Sequence, residues 1–115
     1  MQILTQTARA LLALALLALP GAAFAQAYPT KPVRFVLPFP PGGPSDILGR
    51  ALAQKLSEQL GQSVVPDNRP GAGGNLGAEL VAKSPADGYT LLLSSPSIAI
   101  SPSLYGKLNY DPIRD

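Results

Sequence analysis

The sequence predicts an α/β fold built on a parallel sheet, and three observations lead to that prediction. Three short apolar segments are spaced along residues 26–115, and such segments are typical of buried strands. The segments that separate them carry apolar residues at helical spacing. Strands that alternate with helices form right-handed β-α-β units, which place the strands parallel in one sheet.

Residues 1–25 have the pattern of a cleaved signal helix, so we expect them not to be part of the α/β fold. Arg9 supplies positive charge, residues 10–19 are an unbroken run of Ala and Leu, and residues 23–25 fit a signal-peptidase site. A membrane-spanning helix needs about 20 apolar residues, and this run is shorter. Cleavage after Ala25 would leave residues 26–115 as an exported, soluble protein that is not embedded in the membrane.

The first β-α unit is predicted between Pro32 and Leu60. A strand lies between Pro32 and Pro38, and a glycine-proline loop follows over residues 39–44. A helix is expected over residues 45–60, with Ser45 or Asp46 capping its start and Gly61 ending it. Its buried face is expected to consist of apolar residues at helical spacing: Ile47, Leu48, Ala51, Leu52, Leu56 and Leu60.

Two shorter units follow. Residues 63–65 predict a second strand, residues 68–74 a glycine-rich loop, and residues 75–83 a short helix. The residues of that helix expected to face inward are Leu76, Leu80 and Val81. A turn is expected over residues 85–88 and a third strand over residues 89–93. After Ser94 the pattern loosens, and no further element is predicted.

The composition excludes several kinds of site. The 115 residues include no Cys and no His, which excludes disulfides, thiolate zinc sites, cysteine nucleophiles and Ser-His triads. The formal net charge of +2 is too small to indicate binding to nucleic acid. No nucleophile is paired with a base in the sequence. We therefore expect no catalytic residue, no metal, no cofactor and no enzymatic activity.

The loops that follow the three strands, over residues 39–46, 68–75 and 94–97, are expected to meet at the carboxyl edge of the sheet. Ligands bind α/β proteins at this edge, near the point where the strand order reverses. Glycines in the first two loops leave room for an anion near the backbone, and the two helix N-termini favour a negative charge. The glycines are equally compatible with a purely structural role, in which they only make tight turns.

A nucleotide fits the same loops less well. The first loop lacks the Gly-Lys-Ser/Thr sequence of a P-loop. In the second loop, a dinucleotide-type glycine pattern beginning at Gly71 has Leu76 where its last glycine should stand. A nucleotide-binding module or a small autonomous enzyme is therefore kept as an alternative.

Several short motifs occur in a distinctive order along residues 28–115. They are Tyr28-Pro29-Thr30-Lys31-Pro32-Val33-Arg34, Pro38-Phe39-Pro40-Pro41-Gly42-Gly43-x-Ser45-Asp46, Asn68-Arg69-Pro70-Gly71-Ala72-Gly73-Gly74-Asn75-x-Gly77, Pro85-x-Asp87-Gly88-Tyr89-Thr90-Leu91, Pro102-Ser103-Leu104-Tyr105 and Tyr110-Asp111-Pro112-x-x-Asp115. In this order and spacing they resemble the Bug family. Its members are the periplasmic substrate-binding proteins of tripartite tricarboxylate transporters.

The resemblance implies a fold like that of type II periplasmic binding proteins, a two-domain clamshell. Such a protein takes a small carboxylate between its domains and delivers it to membrane permease subunits. Residues 26–115 would form the N-terminal part of domain I, so the first domain would be incomplete and binding would be impaired. A further alternative is a non-functional fragment that associates with itself through an unfinished sheet edge.

Carried over by position, the resemblance implies that the first loop helps to hold the ligand carboxylate through backbone groups and bridging waters, with the second and third loops beside it. Asp46 is expected to cap its helix or to orient a water. Arg69 is the only cation in these loops, and we expect a structural or solvated role for it. The implied ligand-binding residues are Phe39, Pro40, Gly42, Gly43, Ser45, Asp46, Gly73, Gly74, Asn75, Ser94, Ser95 and Ser97.

Overall fold

A computed structural model describes residues 27–115, so the predicted signal peptide lies outside the described residues. The elements are strand β1 (Val33–Leu37), helix α1 (Pro44–Leu60), strand β2 (Val64–Asn68), a single 3₁₀ turn (Ala72–Gly74), helix α2 (Asn75–Ala82), strand β3 (Thr90–Leu92) and helix α3 (Ser97–Leu104). The three strands are parallel, in the order β2-β1-β3, and the predicted parallel α/β sheet is confirmed.

The central strand is β1, which pairs with both other strands. Val33, Val36 and Leu37 have no solvent exposure. Val33 lies opposite Val64 of β2, and Phe35 lies opposite Leu91 of β3. Side chains along a strand alternate between its faces, and helices cover both faces of this sheet. A parallel strand buried on both sides requires an almost continuous apolar run, which explains the composition of β1.

Helix α1 packs on the sheet through its small residues, and the predicted buried face was wrong in part. Gly49 and Ala53 are buried. A Cβ atom at Gly49 would lie 2.6 Å from Leu37 Cδ2, so Leu37 occupies the space that a larger helix residue would need. Of the predicted face, only the last two residues pack against the core, and the other four are exposed: Ile47, Leu48, Ala51 and Leu52.

The ends of α1 also refine the prediction. The helix begins at Pro44 after Gly43, and neither Ser45 nor Asp46 caps it. Proline is favourable in the first turn because an N–H at that position would have no helical partner. Gly61 ends the helix as predicted, in the left-handed conformation with φ of 68°.

Helix α2 covers the opposite face of the sheet and contacts the end of β1 closely. Gly77 and Ala78 are buried, whereas Leu76 is 53% exposed, so the prediction that Leu76 faces inward was wrong. A Cβ atom at Gly77 would lie 2.8 Å from the Cβ of Pro38. The helix therefore approaches the chain after β1 at a distance that only glycine allows.

The remaining differences lie in β2 and α3. Strand β2 continues beyond the predicted residues 63–65 to Asn68, because it pairs with β1 along its whole length and Pro66 is tolerated in an outer strand. Helix α3 was not predicted, since Pro102 and several serines obscure its pattern. Within residues 27–115, no helix combines the length and the apolar character that crossing a membrane requires.

Candidate functional site

The strand order creates a switch point between β1 and β3 at the carboxyl edge of the sheet. The chain leaves β1 through α1 towards β2, and it returns through α2 on the other face to reach β3 beyond β1. The helical connections of the neighbouring strands β1 and β3 therefore lie on opposite faces of the sheet. In open parallel sheets the crevice at such a point is where ligands bind.

A polar network centred on Asp46 holds the first loop. The Asp46 carboxylate accepts hydrogen bonds from the Gly42 N–H at 2.9 Å, from Arg50 Nε at 3.0 Å and from Asn68 Nδ2 at 2.9 Å. Asn68 also donates to the Phe39 carbonyl at 3.1 Å, and Arg50 donates to Asn68 Oδ1 at 2.9 Å. Asp46 is 4% exposed, so these bonds satisfy a buried carboxylate and tie the loop to α1 and β2.

The same bonds hold the pKa of Asp46 at about 2, below the ordinary value of 3.8. The side-chain hydrogen bond from Arg50 is the largest cause, followed by the Gly42 N–H and by Asn68. Burial acts in the opposite direction and is weaker. Asp46 is therefore ionised at neutral pH, and its oxygens already have donors within the protein. The geometry suits a residue that shapes the loop.

Replacing Asp46 with asparagine is expected to weaken the dependence of stability on acid. A carboxylate whose folded pKa is lowered stabilises the fold above its unfolded pKa, near 3.8, and loses that contribution as the pH falls towards 2. The melting temperature of Asp46→Asn should be lower than that of the wild type at pH 7, and it should fall less steeply between pH 4 and pH 2. Asp115→Asn, which changes the net charge equally, is the control. Parallel melting curves for wild type and Asp46→Asn would contradict the network.

Few backbone donors of the first loop remain for a ligand. Three of its residues have no N–H group: Pro40, Pro41 and Pro44. The N–H of Gly42 is bonded to Asp46. Among residues 27–115, the N–H groups of Gly43 and Ser45 and the Ser45 hydroxyl donate to no partner. These donors lie at the N-terminus of α1, where the helix dipole favours an anion.

The second and third loops meet beside the end of β1. The Ser97 hydroxyl donates to the Gly73 carbonyl at 3.2 Å, and the hydroxyl oxygens of Ser95 and Ser97 are 2.6 Å apart. A Cβ atom at Gly74 would lie 3.6 Å from the Pro38 ring, and the φ of Gly74 is +98°, which favours glycine. These contacts bring the two loops together.

A cavity of about 10 Å³ lies between the second and third loops, and it has room for one water-sized group. Asn75, at the start of α2, is 8% exposed and accepts a hydrogen bond from the Tyr110 hydroxyl at 2.7 Å. Its Nδ2 is buried and has no partner among residues 27–115. The residues that line the cavity include Gly74, Asn75, Ser94, Ser95, Ser97 and Tyr110.

The predicted site residues thus fall into two groups at the carboxyl edge. One group lines the cavity, with Gly73 bonded to it through Ser97: Gly74, Asn75, Ser94, Ser95 and Ser97. The other forms or follows the first loop and does not line the cavity: Phe39, Pro40, Gly42, Gly43, Ser45 and Asp46. Sequence reasoning missed Arg50, Asn68 and Tyr110. Only Arg50 had a local signal, because it follows Asp46 by four residues, the spacing of a helical ion pair.

Arg69 belongs to an ion-pair cluster behind the second loop. Its Nε lies 3.0 Å from Asp67 Oδ1, and Arg34 contacts the same carboxylate at 2.5 Å. Burial raises the pKa of Asp67, but the hydrogen bonds from Arg34 and Arg69 outweigh it, so the pKa is lowered overall. The expected structural role of Arg69 agrees with this arrangement.

Comparison with known proteins relates this chain to a receptor family. The family model described as "tripartite tricarboxylate transporter family receptor" matches residues 48–115. The protein BugT of Bordetella pertussis is 50% identical over 93 residues, which are 79% of this chain and 28% of BugT.

Two solved structures are similar in both sequence and fold. R. palustris Rpa4515, determined with adipate, is 48% identical with a TM-score of 0.72, over 76% of this chain and 30% of that one. The periplasmic binding protein BugD is 44% identical with a TM-score of 0.71, over 74% of this chain and 28% of that one. The chain spans less than a third of the length of each of these relatives. With the family model matching more than half of its residues, the chain belongs to the tripartite tricarboxylate transporter receptor family, and the resemblance to Bug proteins is confirmed.

Proposed function

We propose that this protein binds a small carboxylate at the carboxyl edge of its sheet, as a solute-binding receptor. The observation that carries the proposal is the pair of N–H groups at Gly43 and Ser45, which have no partner among the described residues and lie at the start of α1. The nearby Asp46 carboxylate would repel an anion, but Arg50 and Asn68 already compensate it. A ligand carboxylate at these donors would meet backbone dipoles without a competing free charge.

The proposal includes export and delivery. Residues 1–25 would direct the chain to the periplasm, and the bound carboxylate would pass to the permease subunits of a tripartite transporter. The family description and the periplasmic relatives support both parts. In such a receptor, a second domain would close over this edge like a clamshell.

Binding without catalysis is the role that the chemistry of these residues supports. A general base is most effective when its pKa is close to the working pH. The pKa of Asp46 is held at about 2, far from neutrality, and the chain contains no His and no Cys. Glycine N–H groups, hydroxyls and an asparagine amide bind an anion without transferring protons. We therefore propose a binding protein and not an enzyme.

The residues described here offer one wall of a site. The small cavity has room for one water-sized group, so a dicarboxylate such as adipate would keep most of its surface in water. Because affinity depends on desolvated contacts, we expect a dissociation constant of about 1 mM or weaker for this chain.

Titration of the 115-residue chain with di- and tricarboxylates tests the proposal, by calorimetry and by amide chemical shifts in NMR spectra. Adipate should shift the Gly43 and Ser45 amide signals. Ser45→Ala should weaken binding about 10-fold through loss of one hydrogen bond to a charged group. Ser103→Ala, in an exposed part of α3, is the matched control and should leave the affinity unchanged.

Three results would count against the proposal or its expected affinity. Tighter binding of a nucleotide than of any carboxylate would favour the alternative class of nucleotide-binding modules. Shifts confined to residues outside the loops at the carboxyl edge would place the ligand elsewhere. Binding of any one carboxylate with a micromolar dissociation constant would show that the described residues are sufficient by themselves. It would overturn the expected weak affinity.

A further inference from the structure

We infer that Tyr110 is a positioning residue for the ligand site, because its hydroxyl holds the Asn75 amide with the NH₂ group directed to an acceptor. As a consequence, the Asn75 NH₂ group prefers to bind an ionised carboxylate oxygen of a ligand over a neutral group. The inference deepens the proposed carboxylate binding and rests on it. Tyr110 lies 35 residues from Asn75, in the segment that follows α3.

The first step of the inference is the orientation of the Asn75 amide. An asparagine side chain presents an acceptor at Oδ1 and two donor hydrogens at Nδ2. The Tyr110 hydroxyl donates to Oδ1 at 2.7 Å, which assigns the acceptor end to Tyr110. Nδ2 is then the free end, buried and without a partner among residues 27–115. A buried donor in this condition favours any acceptor that reaches it.

The second step concerns the serines around the same cavity. The Ser97 hydroxyl donates to the Gly73 carbonyl, and the Ser95 hydroxyl can then donate to Ser97. The Ser94 hydroxyl donates to the Ser95 carbonyl at 3.2 Å. With these hydroxyl hydrogens bonded within the protein, Nδ2 of Asn75 is the side-chain donor of the cavity that remains for a ligand, among the residues described.

The third step is the size of the cavity. Its volume of about 10 Å³ corresponds to one water-sized group, which is the size of a carboxylate oxygen. A carboxylate oxygen only accepts hydrogen bonds, so it matches an amide that presents its donor end. An amide nitrogen of a ligand would place hydrogen against hydrogen in the same position. Rotation of the Asn75 amide would reverse this preference, and the bond to Tyr110 opposes that rotation.

The segment that carries Tyr110 is itself attached to α2. Asn109 donates to Glu79 Oε2 at 3.3 Å, and Glu79 also pairs with Lys83. Glu79 lies four residues after Asn75, one turn further along the same helix. Two neighbouring side chains, Asn109 and Tyr110, therefore contact two successive turns of α2. This attachment keeps the Tyr110 hydroxyl within reach of Asn75.

The side-chain amide signals of Asn75 in NMR spectra of the 115-residue chain test the inference directly. The titrants are sodium acetate, its neutral analogue acetamide, and sodium chloride as the salt control. In the wild type, acetate should shift the Asn75 NH₂ signals with about five-fold higher affinity than acetamide, since hydrogen bonds to a charged group are stronger. Tyr110→Phe should lower the acetate affinity at these signals about five-fold and reduce the preference over acetamide.

Two further variants separate positioning from folding. Tyr105→Phe is the matched control, because Tyr105 is 40% exposed and its hydroxyl makes no hydrogen bond among the described residues. It should leave the acetate response unchanged. Asn75→Asp keeps the shape and the bond from Tyr110 but removes the donor, and it should abolish the acetate response near Gly74 even if Tyr110→Phe fails to fold.

The outcomes distinguish this inference from the proposed function. Acetate shifts at Gly43 and Ser45 without shifts at Asn75 would overturn the role of Tyr110 and leave carboxylate binding intact. No acetate shift in any of the three loops would overturn both. Equal responses to acetate and acetamide, or an unchanged acetate response in Tyr110→Phe, would also overturn the inference.

Discussion

Replacing Leu37 with alanine is expected to lower the free energy of unfolding by about 3 kcal/mol, through lost burial and a cavity that cannot close. Leu37 has no solvent exposure and ends the central strand. Its Cδ atoms lie beneath Gly49 of α1, where a Cβ atom would be 2.6 Å from Cδ2. Because Gly49 has no side chain to move into the space, the cavity would remain. Chemical denaturation of the variant and the wild type measures the difference.

Leu104→Ala is the matched control for this substitution. Leu104 lies at the end of α3 and is 73% exposed, so the same change there should alter stability by no more than about 0.5 kcal/mol. Equal losses in the two variants would show that Leu37 is not part of the core.

Replacing Gly77 with alanine should also destabilise the protein, by about 2 kcal/mol, although alanine is the better helix former by about 1 kcal/mol. The new Cβ would lie 2.8 Å from the Cβ of Pro38 and 3.2 Å from the Arg69 carbonyl oxygen. A proline ring and a backbone carbonyl cannot rotate away as a flexible side chain can. The helix must therefore shift from the sheet, and the loss is measured by denaturant and thermal unfolding.

Gly106→Ala provides the comparison for Gly77→Ala. No heavy atom lies within 4 Å of a Cβ built at Gly106, and its φ is outside the left-handed region. Its stability should stay within about 0.5 kcal/mol of the wild type. If Gly77→Ala proved as stable as Gly106→Ala, the close packing of α2 on Pro38 would be wrong. Since Pro38 also lines the small cavity, Gly77→Ala should in addition shift the Asn75 signals.

The order of elements could be predicted because the patterns that encode it are short. Three apolar runs marked the strands, and helical spacing marked α1 and α2 within a residue or two of their observed bounds. Gly61 was identified as the end of α1 from its position alone. The 3₁₀ turn was predicted as loop, and α3 was missed because Pro102 and the serines of this helix resemble a loop.

The buried faces of the helices could not be predicted by the same reasoning. Helical periodicity identified Ile47, Leu48 and Leu52 as an apolar stripe, yet these residues are exposed in the described structure. The face that packs on the sheet contains Gly49 and Ala53. The spacing of apolar residues reflects only the free energy gained by burying side chains. Close packing of a helix on a sheet also requires small residues where the two backbones approach each other.

The candidate site shows the same division between local and distant information. The three loops at the carboxyl edge followed from the parallel sheet and from their glycines. Three partners, Arg50, Asn68 and Tyr110, were not identified, and two of them are distant in sequence from the residue they hold. The bond from Asn68 to Asp46 joins residues 22 apart, and the bond from Tyr110 to Asn75 joins residues 35 apart.

The succession of strands, loops and helices was determined by the sequence alone, and the order and spacing of its short motifs identified the receptor family. The tertiary structure decided which small residues are buried and which polar groups are already paired. It left donors at Gly43, Ser45 and Asn75 without partners among residues 27–115, while Asp46 and the serines of the third loop are bonded within the protein. The physical reason is that periodicity and turn propensity act over a few residues, whereas hydrogen bonds and close packing depend on atoms that only the fold brings together.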